Sequence, residues 1–177
     1  MRKVTESVED LNEVSELVKR LSEKEKDQCE KAALLKKIAV KLQPYIQGIG
    51  QAVSLGWGVS IDGDEYTALS PESKYTVNDL SSGKGIVLWS PSTRSLFSSS
   101  PTGDQLWLLS SGKFLYIKTL EHKTDRGVGW SFESWVGEPI ENDDPSKLPL
   151  PSDMEEICNS IVNAVDLISH KLHMNSV

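Results

Sequence analysis

The chain has 177 residues, of which 38% are hydrophobic, 25% charged and 7% aromatic, a length that suits one ordinary domain or two very small ones. This composition excludes collagen-like, mucin-like and membrane-spanning chains. Nineteen Lys and Arg against 26 Asp and Glu leave a net charge of -7, which argues against a protein that binds nucleic acid by neutralising phosphates.

The charge is uneven along the chain. Residues 1–43 hold 10 of the 19 basic groups and 9 of the 26 acidic ones, so the remainder carries the acidity. Met1-Arg2-Lys3-Val4-Thr5-Glu6 leads into no apolar run of the kind a secretory signal needs, and a soluble, cytoplasmic protein is the expectation. No Gly or Pro occurs before Pro44. Apolar or small residues recur at Val4, Val8, Leu11, Val14, Val18 and Leu21, then at Ala32, Leu35, Ala39, Leu42 and Ile46. This three-four spacing predicts helix, and Glu16 with Arg20 and Asp27 with Lys31 are favourable i,i+4 pairs.

A continuous helix over residues 5–46 would be a rod of about 60 Å, whereas a compact domain of this size has a radius of gyration of about 16 Å. Its overhanging apolar stripe would need a coiled-coil or docking partner. The alternative is an αα-hairpin broken between Ser22 and Asp27. There Glu25 and Gln28 fall where a seam should be apolar, and both Ser22-x-x-Glu25 and Asp27-x-x-Glu30 fit a capping box. The hairpin is preferred because it buries the stripe within one chain. Pro44, Gly48 and Gly50 end the pattern. The chain thus divides into a helical segment over 1–47 and a sheet-bearing segment over 48–177, together read as one domain.

From Gln51 to Ile61 apolar residues alternate with small ones, the pattern of a strand, and Asp62-Gly63-Asp64 makes a turn whose carboxylates lack the long loop of an EF-hand. Further strands are expected at 65–69, 74–77, 85–90, 94–98, 105–110, 113–122 and 129–136, separated by Ser, Gly and Pro clusters such as Ser110-Ser111-Gly112. Strand 105–110 is apolar on both faces, Leu106 and Leu108 against Trp107 and Leu109, so it should be central or sandwiched. A Pro-rich connector over 142–151 precedes a final helix, with Ser152-x-x-Glu155 as its expected capping box and Ile157, Ile161, Ala164, Val165, Ile168 and Leu172 as its stripe. The expected fold is α+β. An antiparallel meander of six to eight strands would carry the C-terminal helix, packed with the N-terminal helix, on the sheet.

Motifs of known chemistry are few. Gly-x-Ser-x-Gly is absent, and Ser81-Ser82-Gly83-Lys84-Gly85 runs into the strand pattern Ile86 to Trp89 rather than into a helix, so it is a turn and not a phosphate loop. His170 and His173 share a helix face, but no third ligand adjoins them in sequence; no metal and no cofactor is expected. Cys29 and Cys158 are expected to be free thiols on helix faces, with a disulfide joining the terminal helices as the alternative. His122, beside Glu121 and near Glu133 on the next strand, could in principle pair an imidazole with a carboxylate. All five tryptophans fall in the β region, and Trp57, Trp107, Trp130 and Trp135 could stack against a partner or an uncharged ligand in surroundings too acidic for nucleic acid.

The leading functional expectation is a non-enzymatic binding or assembly protein that self-associates or engages another protein through its N-terminal helix, on the strength of the overlong stripe. The alternative is a small-ligand sensor or carrier whose curved sheet encloses an apolar pocket lined by Trp57, Trp107 and Trp130. A third is a hydrolase-like enzyme using His122 with Glu121 or Glu133. Neither nucleic acid nor a membrane is an expected partner.

Overall fold

The computed structural model describes residues 4–52, 58–61, 64–67, 84–90, 104–117, 119–125, 130–136 and 140–175; for 51–52, 58–61, 64–67, 119–125 and 130–136 it describes backbone and register. In chain order these form α1 (Val4–Leu21), α2 (Gln28–Ile49), β1 (Gln51–Ala52), β2 (Gly58–Ile61), β3 (Asp64–Thr67), β4 (Lys84–Trp89), β5 (Gln105–Leu109), β6 (Phe114–Ile117), β7 (Thr119–Asp125), β8 (Trp130–Val136), β9 (Ile140–Asn142), a 3-10 turn at Pro145–Lys147 and α3 (Glu155–Met174). The class is α+β with an antiparallel sheet. None of the described helices is long and apolar enough to cross a membrane.

The helical segment breaks, and the second of its two capping boxes restarts it. The Asp27 carboxylate accepts the Glu30 N–H at 2.8 Å, and the Glu30 carboxylate accepts the Asp27 N–H at 3.2 Å. Ser22 instead ends α1, its hydroxyl donating to the Lys19 carbonyl at 2.6 Å. Folding back lets Val14, Val18 and Leu21 of α1 meet Leu35, Ile38, Leu42 and Ile46 of α2 in one core. From Leu11 onward the stripe is therefore buried within the chain, with Val8 left 44% exposed, and its length no longer demands a partner.

Helix α2 runs through Pro44 to Ile49, a little past the boundary expected after Ile46. Proline lacks the N–H that would bond the Val40 carbonyl, but Pro44 lies on the exposed side, where water can serve that oxygen. The last turn of α2 has no basic residue of its own. Two lysines from elsewhere serve its unsatisfied carbonyls: Lys84 Nζ donates to the Gln47 oxygen at 3.4 Å and Lys171 Nζ to the Gly48 oxygen. The helix then turns into β1 at Gly50, where a Cβ would stand 2.7 Å from the Ile46 carbonyl oxygen and 3.0 Å from that of Gly85. Only glycine permits that approach.

Five strands form an antiparallel sheet in the order β1-β4-β5-β6-β9, with β5 in the middle. That position accounts for its two apolar faces. Leu106 and Leu108, with Leu88, Phe114 and Tyr116, join the core made with the helices. Trp107, Leu115 and Ile117 alternate to the other face and are buried as well. A β-bulge between Val87 and Trp89 departs from plain alternation, and both Leu88 and Trp89 pack on the helix-side core. Between β5 and β6, Gly112 adopts φ +85° and the Leu109 N–H bonds the Lys113 oxygen at 2.9 Å. This is a three-residue hairpin loop closed by a left-handed glycine, as Ser110-Ser111-Gly112 foretold.

The other described strands pair separately, β2 with β3 and β7 with β8. The antiparallel expectation holds, but the strands are divided among one five-stranded sheet and two hairpins rather than a single meander. Ile61 pairs directly with Asp64, so two residues join β2 to β3. Strands expected at 74–77 and 94–98 lie outside the described residues, and β9 falls at the edge of what looked like connector. Helices α2 and α3 lie on the sheet, while α1 packs over both. The connector is anchored by buried Pro145 and Leu148. Helix α3 does not start from the Ser152 box: the Glu155 N–H bonds the Asp153 carboxylate at 3.0 Å, and the Ser152 carbonyl takes the ammonium of Lys31 at 2.9 Å.

Candidate functional site

The residues singled out in the sequence are only partly brought together. Trp57 lies outside the described residues. Trp107 is 6% exposed, with its indole N–H donating to the Gln105 side-chain oxygen at 3.0 Å, and so presents no stacking surface. In the β7–β8 hairpin, His122 pairs with Glu133, Leu120 with Trp135 and Asp125 with Trp130. His122 and Glu133 are thus direct cross-strand partners. Trp130 and Trp135 sit at different rungs, in a hairpin separate from the sheet that holds Trp107; the side chains of this hairpin lie outside the described part of the chain.

Cys29 and Cys158 are both free; Cys29 is exposed, while burial and, behind it, the Asp153 charge push the Cys158 thiol above its ordinary range. Raising a thiol's pKa suppresses the thiolate and hence its nucleophilicity. Cys158 lines a cleft of about 660 Å³ between the end of α1 and the start of α3, in which Lys31 is engaged by Ser152. Among the described residues no three His, Cys, Asp or Glu converge as a metal site.

A surface that the sequence reading missed lies on the outside of the helical hairpin. Its floor is Leu17 and Val40, and its walls are Asn12, Glu13, Glu16 and Arg20 of α1 and Lys37 and Lys41 of α2, enclosing about 580 Å³. Val40 is 63% exposed, among the most exposed large apolar side chains described. At one end Lys41 binds Glu13 at 2.7 Å and Asp10 at 3.2 Å, and the Tyr45 hydroxyl donates to Asp10 at 3.0 Å. Those carboxylates hold the Lys41 ammonium above its usual range, hydrogen bonding to Glu13 leading. At the other end Arg20 and Lys37 make no ion pair or hydrogen bond with the described residues. Part of the signal was present in the sequence as phase: Val40 falls off the 35-39-42-46 stripe and turns away from the core, while Leu17, on the flank of the α1 stripe, still packs against the core from the groove's edge.

No protein-family model, curated protein or solved structure matches this chain.

Proposed function

We propose that this protein is a non-enzymatic binding or assembly protein that acts through protein-protein contacts of its N-terminal helical hairpin. The length of the apolar stripe, which the fold buries, does not carry this reading. The outer groove does, because Val40 leaves 63% of its surface to solvent at the centre of a concave, apolar floor ringed by charges. An apolar centre with a polar rim is the anatomy of a protein interface; another hollow that an exposed valine borders, at Val162 of α3, is smaller, about 330 Å³. At the 660 Å³ cleft, Lys31 and the Cys158 thiol are both engaged by the fold.

The test is photo-crosslinking in the cell extract. A benzophenone side chain at Val40 gives a discrete protein adduct, whereas the same group at exposed Asn163 of α3 does not. Equal, diffuse labelling at both positions would sink the reading.

A further inference from the structure

We infer that the outer groove receives an acidic amphipathic helix of a partner protein, with an apolar side chain on the Leu17–Val40 floor and a carboxylate one turn away between Arg20 and Lys37; this deepens the reading above and rests on it. Charge selects that occupant. The carboxylates along the groove are answered within the chain: Glu13 by Lys41 at 2.7 Å, Asp10 by Lys41 at 3.2 Å and by the Tyr45 hydroxyl at 3.0 Å, and Glu16 by Lys19 at 2.8 Å. Glu16 thus turns to Lys19 and not to Arg20, the i,i+4 partner that the sequence offered. Toward the connecting loop, Glu23 is held by Lys26 at 3.1 Å and Glu30 by its own capping box. The charged lining residues that pair with none of the described residues, Arg20 and Lys37, are both basic.

The antiparallel pairing of the helices sets where these two cations stand. Arg20 follows Leu17 by three residues on α1 and Lys37 precedes Val40 by three on α2, so both lie about one turn from the floor, on its connecting-loop side. At the opposite end Lys41 closes on Glu13 and Asp10. The groove is therefore apolar in the middle, self-paired at one end and positive at the other. A helix matches that spacing, because residues three or four apart are neighbours on its surface: one apolar residue, with an Asp or Glu a turn along the same face, meets the floor and both cations together. A basic segment would set like charge against Arg20 and Lys37 and find no free carboxylate in exchange. A second copy docked groove to groove has no free carboxylate to offer either. Nucleic acid needs cations tracked along its backbone, and one turn further this wall carries Glu13 and Glu16. The charge contacts lie on an exposed rim, so they select the partner more than they tighten it, and the association is salt-sensitive.

The test is an NMR titration of the full chain with helical peptides of about 18 residues that share one leucine ridge at i, i+4 and i+7 spacing and carry Glu, Gln or Lys beside it. The Glu peptide moves the Leu17 and Val40 methyl signals and binds about tenfold or more tighter than the Gln peptide, with the Lys peptide weakest. Arg20→Glu and Lys37→Glu, both at exposed positions, each weaken the Glu peptide by about tenfold, and the double variant prefers the Lys peptide. Circular dichroism confirms that each variant is folded. A Lys peptide that binds as tightly as the Glu peptide, a preference indifferent to both reversals, or no shift at Leu17 and Val40 with any peptide overturns the proposal. Displacement of the Glu peptide by an equal concentration of inorganic phosphate or of a DNA oligonucleotide also overturns it. The crosslink at Val40 separates the two readings. A discrete adduct that survives both charge reversals unchanged, or that has twice the 19.6 kDa mass of the chain, ends the acidic helix and leaves the protein-binding reading standing, whereas diffuse labelling ends both.

Discussion

The sheet and the helical hairpin close their apolar surfaces differently. In the sheet, central strand β5 is buried on both faces, Leu106 and Leu108 toward the helices and Trp107 away from them. In the hairpin, α2 is buried on one side only: Leu42 and Ile38 are inside at 0% exposure, and Val40, between them in sequence, is outside. A strand turns alternate residues to opposite faces, so a doubly apolar strand has to be covered twice. A helix spreads its residues around a cylinder and tolerates an open sector. Surface available for a partner therefore lies on the helices and not on the sheet's central strand.

The sharpest way to break this contrast is to truncate one residue from each category. Trp107→Ala should cost about 3–5 kcal/mol, despite lying on the face away from the helices, because a large aromatic leaves a cavity in a closed site. Leu42→Ala should cost about 2–5 kcal/mol for the same reason. Val40→Ala should stay within about 0.5 kcal/mol, as exposed substitutions do. Urea unfolding of the three variants decides it; a Trp107→Ala cost near that of Val40→Ala would mean that the second sheet face is not closed.

Much of this architecture was legible. The hairpin was written in Asp27-x-x-Glu30, where a polar interruption and a cap coincide, and the central place of β5 was written in its unbroken Leu-Trp-Leu-Leu. Local rules failed where long-range partners decide. Pro44, Gly48 and Gly50 read as the end of the helix after Ile46, and α2 continues only to Ile49, its outer face wet at Pro44 and its C-terminus held by Lys84 and Lys171. Ser152 read as a cap, but its carbonyl is taken by Lys31, more than a hundred residues away in sequence, and Asp153 serves the helix instead. Three-residue β9 was too short for any period to show. The groove escaped because the on-phase stripe leaves out Val40, and because Glu13 and Lys41 meet only once the hairpin has closed.

A smaller effect probes how the sheet's hairpin meets the helices. Gly112 combines φ +85° with a Cβ position 3.2 Å from the Gln43 side chain of α2. Gly112→Ala should cost about 1–2 kcal/mol from the left-handed backbone. The flexible end of Gln43 can move aside, so Gln43→Ala should recover little of that cost. Full recovery in the double variant would place the strain in the contact rather than in the turn.

The smallest expected change concerns Tyr116, whose hydroxyl donates to the Asp104 carboxylate at the start of β5. Burial first, then the hydrogen bond and charge of Asp104, push the phenol well above its ordinary range. An acid whose pKa is raised by folding keeps its proton in the native state after the unfolded chain has lost it. Stability from this group is therefore complete below the unfolded tyrosine value of about 10 and declines as pH rises past it. Tyr116→Phe removes the bond, at about 1 kcal/mol near neutrality, and removes this part of the alkaline decline with it. The gap between wild type and variant in urea midpoint should thus narrow from pH 7 to pH 11, and a gap that stayed constant would show that the phenol does not keep its proton against Asp104.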